Sequence, residues 1–153
     1  MYALSHAIIV NPAGAFPVLT RQQVWRGLVM KAENAVPFVP GMEACVVVAR
    51  HDKGLLRDVT IRGESLREQI SFTPEVQVLF ERMDSPGGWI TNVISDSDQG
   101  LLLTFTFAVR FPGLQEGSPE EHAKGEEMKG SYVAAVAATL DRVRAMVSAG
   151  ELA

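Results

Sequence analysis

The side chains that could do chemistry are few and scattered. Arg57 and Glu68 each interrupt an apolar alternating row, Arg57 among Leu55, Val59 and Ile61, and Glu68 among Leu66, Ile70 and Phe72. A tight turn at Gly63-Glu64 would set Val59 opposite Glu68 and make Arg57 its diagonal neighbour. Facing inward, they would form an Arg–carboxylate pair able to orient a polar ligand end, because the guanidinium fork matches carboxylate and phosphate. At an exposed sheet edge the same pair would be a salt bridge of little worth. The pattern is compatible with either placement.

Other chemistry has less support. His51 shares a turn with Asp52 and reads as solvated. His6 alternates with apolar neighbours on the first strand and reads as a core or edge histidine. His122 and Glu126 lie one helical turn apart with Glu121 beside them, but two or three such groups at a helix start, with no second cluster, do not make a metal centre. No nucleophile elbow, phosphate loop or dinucleotide fingerprint occurs, and Gly87-Gly88 is a hairpin turn. No cofactor or metal is expected. The lone Cys45, beside Val46-Val47-Val48, reads as a buried structural thiol. A cyclase would need none of these motifs. A shaped apolar pocket with one or two proton-transfer groups would suffice, and Glu68, Tyr132, Asn92 and Arg57 are the candidates, Glu68 and Tyr132 first.

The elements that must hold these residues follow from period and punctuation. Ala3 to Val10 reads as a strand. Thr20 opens a short helix with Gln23 completing a capping box, and Val24, Trp25, Leu28, Val29 and Ala32 form its apolar face. Asn34, Pro37 and Pro40 end it. Six strands follow: Ala44–Arg50, Leu55–Arg62, Ser65–Phe72, Val76–Met83, Trp89–Ser95 and Leu101–Phe111. Their short connections imply an antiparallel meander. Ser118-Pro119-Glu120-Glu121 then opens a long helix as a cap, an N1 proline and a second capping box. Its stripe is Met128, Tyr132, Val136, Leu140, Val143 and Val147, and Gly150 ends it. Gly125 and Gly130 should weaken its first third, and Arg142 and Arg144 suit its C-terminal dipole. The expected architecture is α+β, a seven-stranded curved antiparallel sheet wrapped around a long C-terminal helix, as a single domain over 1–153.

Bulk properties narrow the partners. The chain has 153 residues and a net charge of −4. Without a block of Lys and Arg, nucleic acid and anionic membrane surfaces are disfavoured. No apolar run can span a bilayer, and Met1 to Val10 lacks signal-peptide features, so a cytoplasmic protein is expected.

This element order resembles the START-like, birch-pollen-allergen-like helix-grip proteins, the SRPBCC superfamily. A closer likeness is to the AtaL-like family of bacteria and fungi. It is carried by Val10-Asn11-Pro12, Leu19-Thr20, Trp25, Gly27-Leu28, Lys31-Ala32-Glu33-Asn34, Pro37-Phe38-Val39-Pro40-Gly41, Arg57 and Asn92. The superfamily implies a hydrophobic ligand cavity. Its lining would then come from Leu103, Phe105 and Phe107 on the last strand, Val78 and Phe80, and Trp89 if the turn at Asp96 to Gly100 keeps register. Phe38 would gate it and Tyr132, Val136 and Leu140 would form the lid. The same side chains could equally fill a close-packed core. The functional expectation is a protein holding a hydrophobic molecule, lipid-like or aromatic and polyketide-like, with or without an acidic or polar end. The alternatives are a cofactor-free cyclase or aromatase using that cavity, and a protein-interaction module in which the cavity is incidental.

Overall fold

A computed structural model describes residues 1–153. Its strands are β1 (Tyr2–Ile9), β2 (Met42–His51), β3 (Gly54–Ile61), β4 (Glu64–Thr73), β5 (Gln77–Arg82), β6 (Gly88–Ser95) and β7 (Leu102–Val109). Its helices are α1 (Arg21–Glu33), between β1 and β2, and α2 (Pro119–Ser148) at the end. The strands form one antiparallel sheet in the order β1-β7-β6-β5-β4-β3-β2. Strands β2 to β7 are a meander. The first strand closes the order by pairing with the last, Tyr2 opposite Val109 and Ile9 opposite Leu102. This is the α+β helix-grip architecture. No helix is long and apolar enough to cross a membrane.

Each helix is positioned by its caps. Thr20 accepts from the Gln23 amide at 3.2 Å, and Gln23 accepts from the Thr20 amide at 2.9 Å, so α1 begins with a complete capping box. Ser118 caps α2 through the Glu121 amide at 3.1 Å. The second box does not form, because the Glu121 carboxylate turns to the Gly117 amide at 3.0 Å and the Met1 amino group at 2.8 Å. Gly150, at φ 74°, closes α2 in a Schellman motif: its amide bonds Val147 O at 3.1 Å, and Glu151 N bonds Met146 O at 2.9 Å. Arg144 does not serve the helix dipole. It donates to Pro17 O at 2.5 Å and to Val10 O, tying α2 to the loop after β1.

The inner face of the sheet and both helices share one apolar core. Leu103, Phe105, Ile94, Val78 and Ile70 meet Val136, Leu140, Val143 and Met146 of α2 and Val24, Leu28 and Ala32 of α1. Helix α2 is continuous through its first third. The helix runs through both glycines, and Gly125 is a packing residue: a Cβ at that position would lie 2.1 Å from the Tyr2 ring of β1. Gly130 faces open space.

These two glycines should therefore respond oppositely. Gly130→Ala should stabilise by up to about 1 kcal/mol through helix propensity alone. Gly125→Ala gains the same propensity but displaces Tyr2, and a net loss of roughly 1–2 kcal/mol is expected from overpacking. Urea unfolding of both variants checks this; equal shifts would contradict the packing account.

Candidate functional site

Strands β3 and β4 turn at Arg62-Gly63, one residue earlier than the pattern suggests. Both residues have positive φ, 50° and 80°, as a two-residue type I′ hairpin requires. Moving the turn by one residue moves the register by two, so every side chain keeps its face. Arg57 thereby stands directly opposite Glu68, and Val59 opposite Leu66. The diagonal relation expected from the sequence is corrected to a direct pair.

The pair is interior. Arg57 is 3% exposed and Glu68 5%. Arg57 Nε and Nη2 both donate to Glu68 Oε1, at 3.0 and 2.8 Å. Arg57 Nη1 donates to Lys31 O and Ala32 O, each at 2.9 Å. These are carbonyls of the last turn of α1, which lack partners within the helix. The four bonds leave Arg57 a single N–H on Nη2. Its guanidinium carbon lies 5.3 Å from the centre of the Phe80 ring.

Lys31 completes the cluster, and sequence reasoning did not single it out. It follows Val24 and Leu28 on the buried face of α1, where Gly27, with Val143 of α2 against it, lets the helices approach closely. That spacing was the available signal: a lysine at helical intervals from buried apolar residues. Lys31 Nζ donates to Asn92 Oδ1 at 2.7 Å and lies 5.5 Å from the centre of the Phe80 ring. It makes no ion pair. Burial disfavours its charged form, Arg57 adds repulsion, and Glu68 offsets only part of this, so its pKa falls from the ordinary lysine range to about 7.

These groups line a cavity of about 140 Å³ between the sheet and α2. Of the residues expected there, Arg57, Glu68, Phe80, Asn92, Phe107, Tyr132 and Val136 are on its wall. Tyr132 stacks on Phe107 with ring centres 4.5 Å apart, and burial raises its phenol pKa. Phe38, Val78, Leu103, Phe105 and Leu140 are instead packed into the core. Trp89 is a correction. It lies on the outer face, 38% exposed, because the loop from Asp96 to Leu101 is one residue longer than an in-register turn would need. Ser95 pairs with Leu102, so Ile90, Asn92 and Ile94 point inward, opposite Phe107, Phe105 and Leu103. A slip of one residue exchanges the faces of a strand.

Arg82 also lines the cavity and was not anticipated, although Val78-Phe80-Arg82 alternates inward along β5. Its Nε is buried without a hydrogen-bond partner, and it forms no ion pair. With the exposed Arg62 at its edge, three guanidinium side chains and the Lys31 amine line the same cavity as one carboxylate. The remaining candidates lie elsewhere. His6 is exposed on β1, with its ring 5.6 Å from that of Phe105. His51 touches Gln69, and His122 pairs with Glu126 at 3.8 Å. Cys45 is half-buried on the edge strand β2, not in the core, because β2 has a neighbour on one side only.

Comparison with known proteins follows the same geometry. The AtaL family, described as "Acetylaranotin biosynthesis cluster protein L", matches residues 4–150. No curated protein matches the chain. Among solved structures, the Zhui aromatase/cyclase from Streptomyces sp. R1128 is similar with a TM-score of 0.68 and 17% identity, covering 95% of each chain. The di-domain aromatase/cyclase StfQ of the steffimycin pathway gives 0.66 and 17%, over 94% of this chain, which spans half of StfQ. A START superfamily protein from Mycobacterium smegmatis gives 0.61 and 13%, over 93% of this chain and 97% of its own. At these identities the likeness is one of fold.

The buried amine makes stability depend on pH in a definite direction. Between about pH 7 and the ordinary lysine pKa of 10.5, the unfolded chain holds a proton at Lys31 that the folded chain does not. Stability at this group therefore rises with pH through that window, and the penalty for a charged Lys31 is fullest below it. Lys31→Met removes the penalty but strands Asn92 Oδ1, which costs about 1–3 kcal/mol. A net gain of roughly 1–3 kcal/mol near pH 6, shrinking to a net loss near pH 10, is expected from a shift of this size. Urea unfolding at the two pH values checks it; a difference independent of pH would contradict the buried-amine account.

Proposed function

The chain belongs to the AtaL family, and on that footing we propose that it works as one cytoplasmic helix-grip domain holding a small hydrophobic molecule with an acidic or polar end. The observation that carries this is the charge imbalance of the cavity wall. Phe80, Ile90, Phe107, Val136 and Tyr132 supply apolar surface, while the guanidinium groups of Arg57, Arg62 and Arg82 outnumber the single carboxylate of Glu68. Arg57 is nearly saturated by Glu68 and the α1 carbonyls. The orienting role thus passes to Arg82, whose Nε has no protein partner. A charge-assisted hydrogen bond from a guanidinium in such a place is worth about 1.5–3 kcal/mol.

The volume limits the occupant. A dry cavity of about 150 Å³ accommodates benzene, so 140 Å³ suits one aromatic ring or the terminal segment of a longer molecule. This favours a compact aromatic ligand over a whole lipid chain or a folded polycyclic polyketide. The cyclase or aromatase reading is supported by the amine and phenol on the same wall, Lys31 and Tyr132, which could move protons on a bound carbonyl compound.

Calorimetric titration with 3-phenylpropionate and with the uncharged 3-phenylpropanol tests the binding reading. The acid should bind more tightly. Arg82→Leu should weaken it by about tenfold, corresponding to about 1.4 kcal/mol, and leave the alcohol within about twofold. Equal losses for both would remove Arg82 from the site, and absence of binding for both would remove the cavity reading.

A further inference from the structure

We propose that Lys31 is an imine-forming amine that captures small apolar aldehydes and ketones inside the cavity. The proposal rests on the cavity reading above and adds a covalent step to it. Four observations carry it. Lys31 projects from the last turn of α1 onto the cavity wall and is itself 8% exposed. Its Nζ has one protein acceptor, Asn92 Oδ1 at 2.7 Å, whereas an ammonium carries three N–H donors. The nearest carboxylate, Glu68, is bound by Arg57 and makes no ion pair with Lys31. A second cation, Arg57, reaches the same region and bonds the backbone carbonyl of Lys31 itself.

Desolvation and a neighbouring positive charge are the two devices that keep a lysine amine neutral and nucleophilic at ordinary pH. Both act here, and the group titrates near pH 7. The charged and titratable groups on the same wall are Arg57 of β3, Arg62 of the β3–β4 turn, Glu68 of β4, Arg82 of β5 and Tyr132 of α2. Of these only Glu68 favours the ammonium. Asn92, fixed on β6, accepts one N–H at 2.7 Å and leaves the other positions on the nitrogen without a protein partner.

The step balances without a further reagent. The Nζ lone pair forms a C–N bond to the carbonyl carbon, and the C–O π electrons move to oxygen. That oxygen takes a proton from nitrogen, giving the carbinolamine. The C–O bond then breaks, and the oxygen leaves as water with the second nitrogen proton, giving a neutral imine. The ligand class is an aldehyde or unhindered ketone on an apolar body of about one ring, as the volume requires.

Trapping tests it in the intact protein. Benzaldehyde with sodium cyanoborohydride at pH 7 converts any imine to a stable benzyl amine, and peptide mass spectrometry locates it. The chain holds an internal control, because Lys53, Lys124 and Lys129 lie on the surface or at its edge. Lys31 should be labelled about tenfold faster than each of them, and its rate should rise about tenfold from pH 6 to pH 8, following the neutral amine fraction. Lys31→Met, of similar length and without charge, should lose this labelling, and the unaltered protein should bind benzyl alcohol by calorimetry. Labelling of Lys31 no faster than of the surface lysines overturns the proposal. If benzyl alcohol binds in that case, the cavity reading stands and only the covalent step falls; if it does not bind, both fall.

Discussion

A guanidinium removed from water is tolerated only when its donors are met, since an unpaired buried charge costs several kcal/mol. Arg57 meets that condition by reaching in two directions at once. On the sheet it grips Glu68 directly across the β3–β4 ladder, and on the helix it fills the open carbonyls of Lys31 and Ala32. Those bonds fix where the end of α1 sits against the sheet. Lys31 and its Asn92 partner, and the wall around Phe80, follow from that placement.

The architecture was readable because it depends on repeated signals. Alternating strands, short turns and the caps at Thr20 and Ser118 all agree, and consistency across levels is what specifies a fold. The site was readable only where parity survived. Arg57 and Glu68 kept their faces because the misplaced turn shifted register by two. Trp89 lost its face because a loop of six residues, not five, joins β6 to β7. Nothing local in Asp96 to Leu101 announces that count. Lys31 was hidden differently. Its spacing from Val24 and Leu28 marks it as buried, but a lysine reads as surface until the acceptor that permits burial, Asn92, is known to lie across from it.

The likeness to aromatase/cyclases and START proteins extends over the whole fold and stops short of the chemistry, which lives in particular side chains. Here those side chains give a compact cavity with an apolar body and a strongly basic wall. Its charge is not neutralised from within. Glu68 is committed to Arg57, so Arg82 is left on the wall without a carboxylate partner.

The double reach of Arg57 also bears on how such a site can change over generations. Positions 92, 31, 57 and 68 form a chain of hydrogen bonds in which each residue holds the next. Losing any one strands its partner, so the effects of substitutions here will not add. The quartet is a coupled unit, in which the cost of one substitution depends on which partners remain. Packing can vary at Ile90 or Val136, where volume alone is exchanged, whereas a change in the polar chain reaches its neighbours as well.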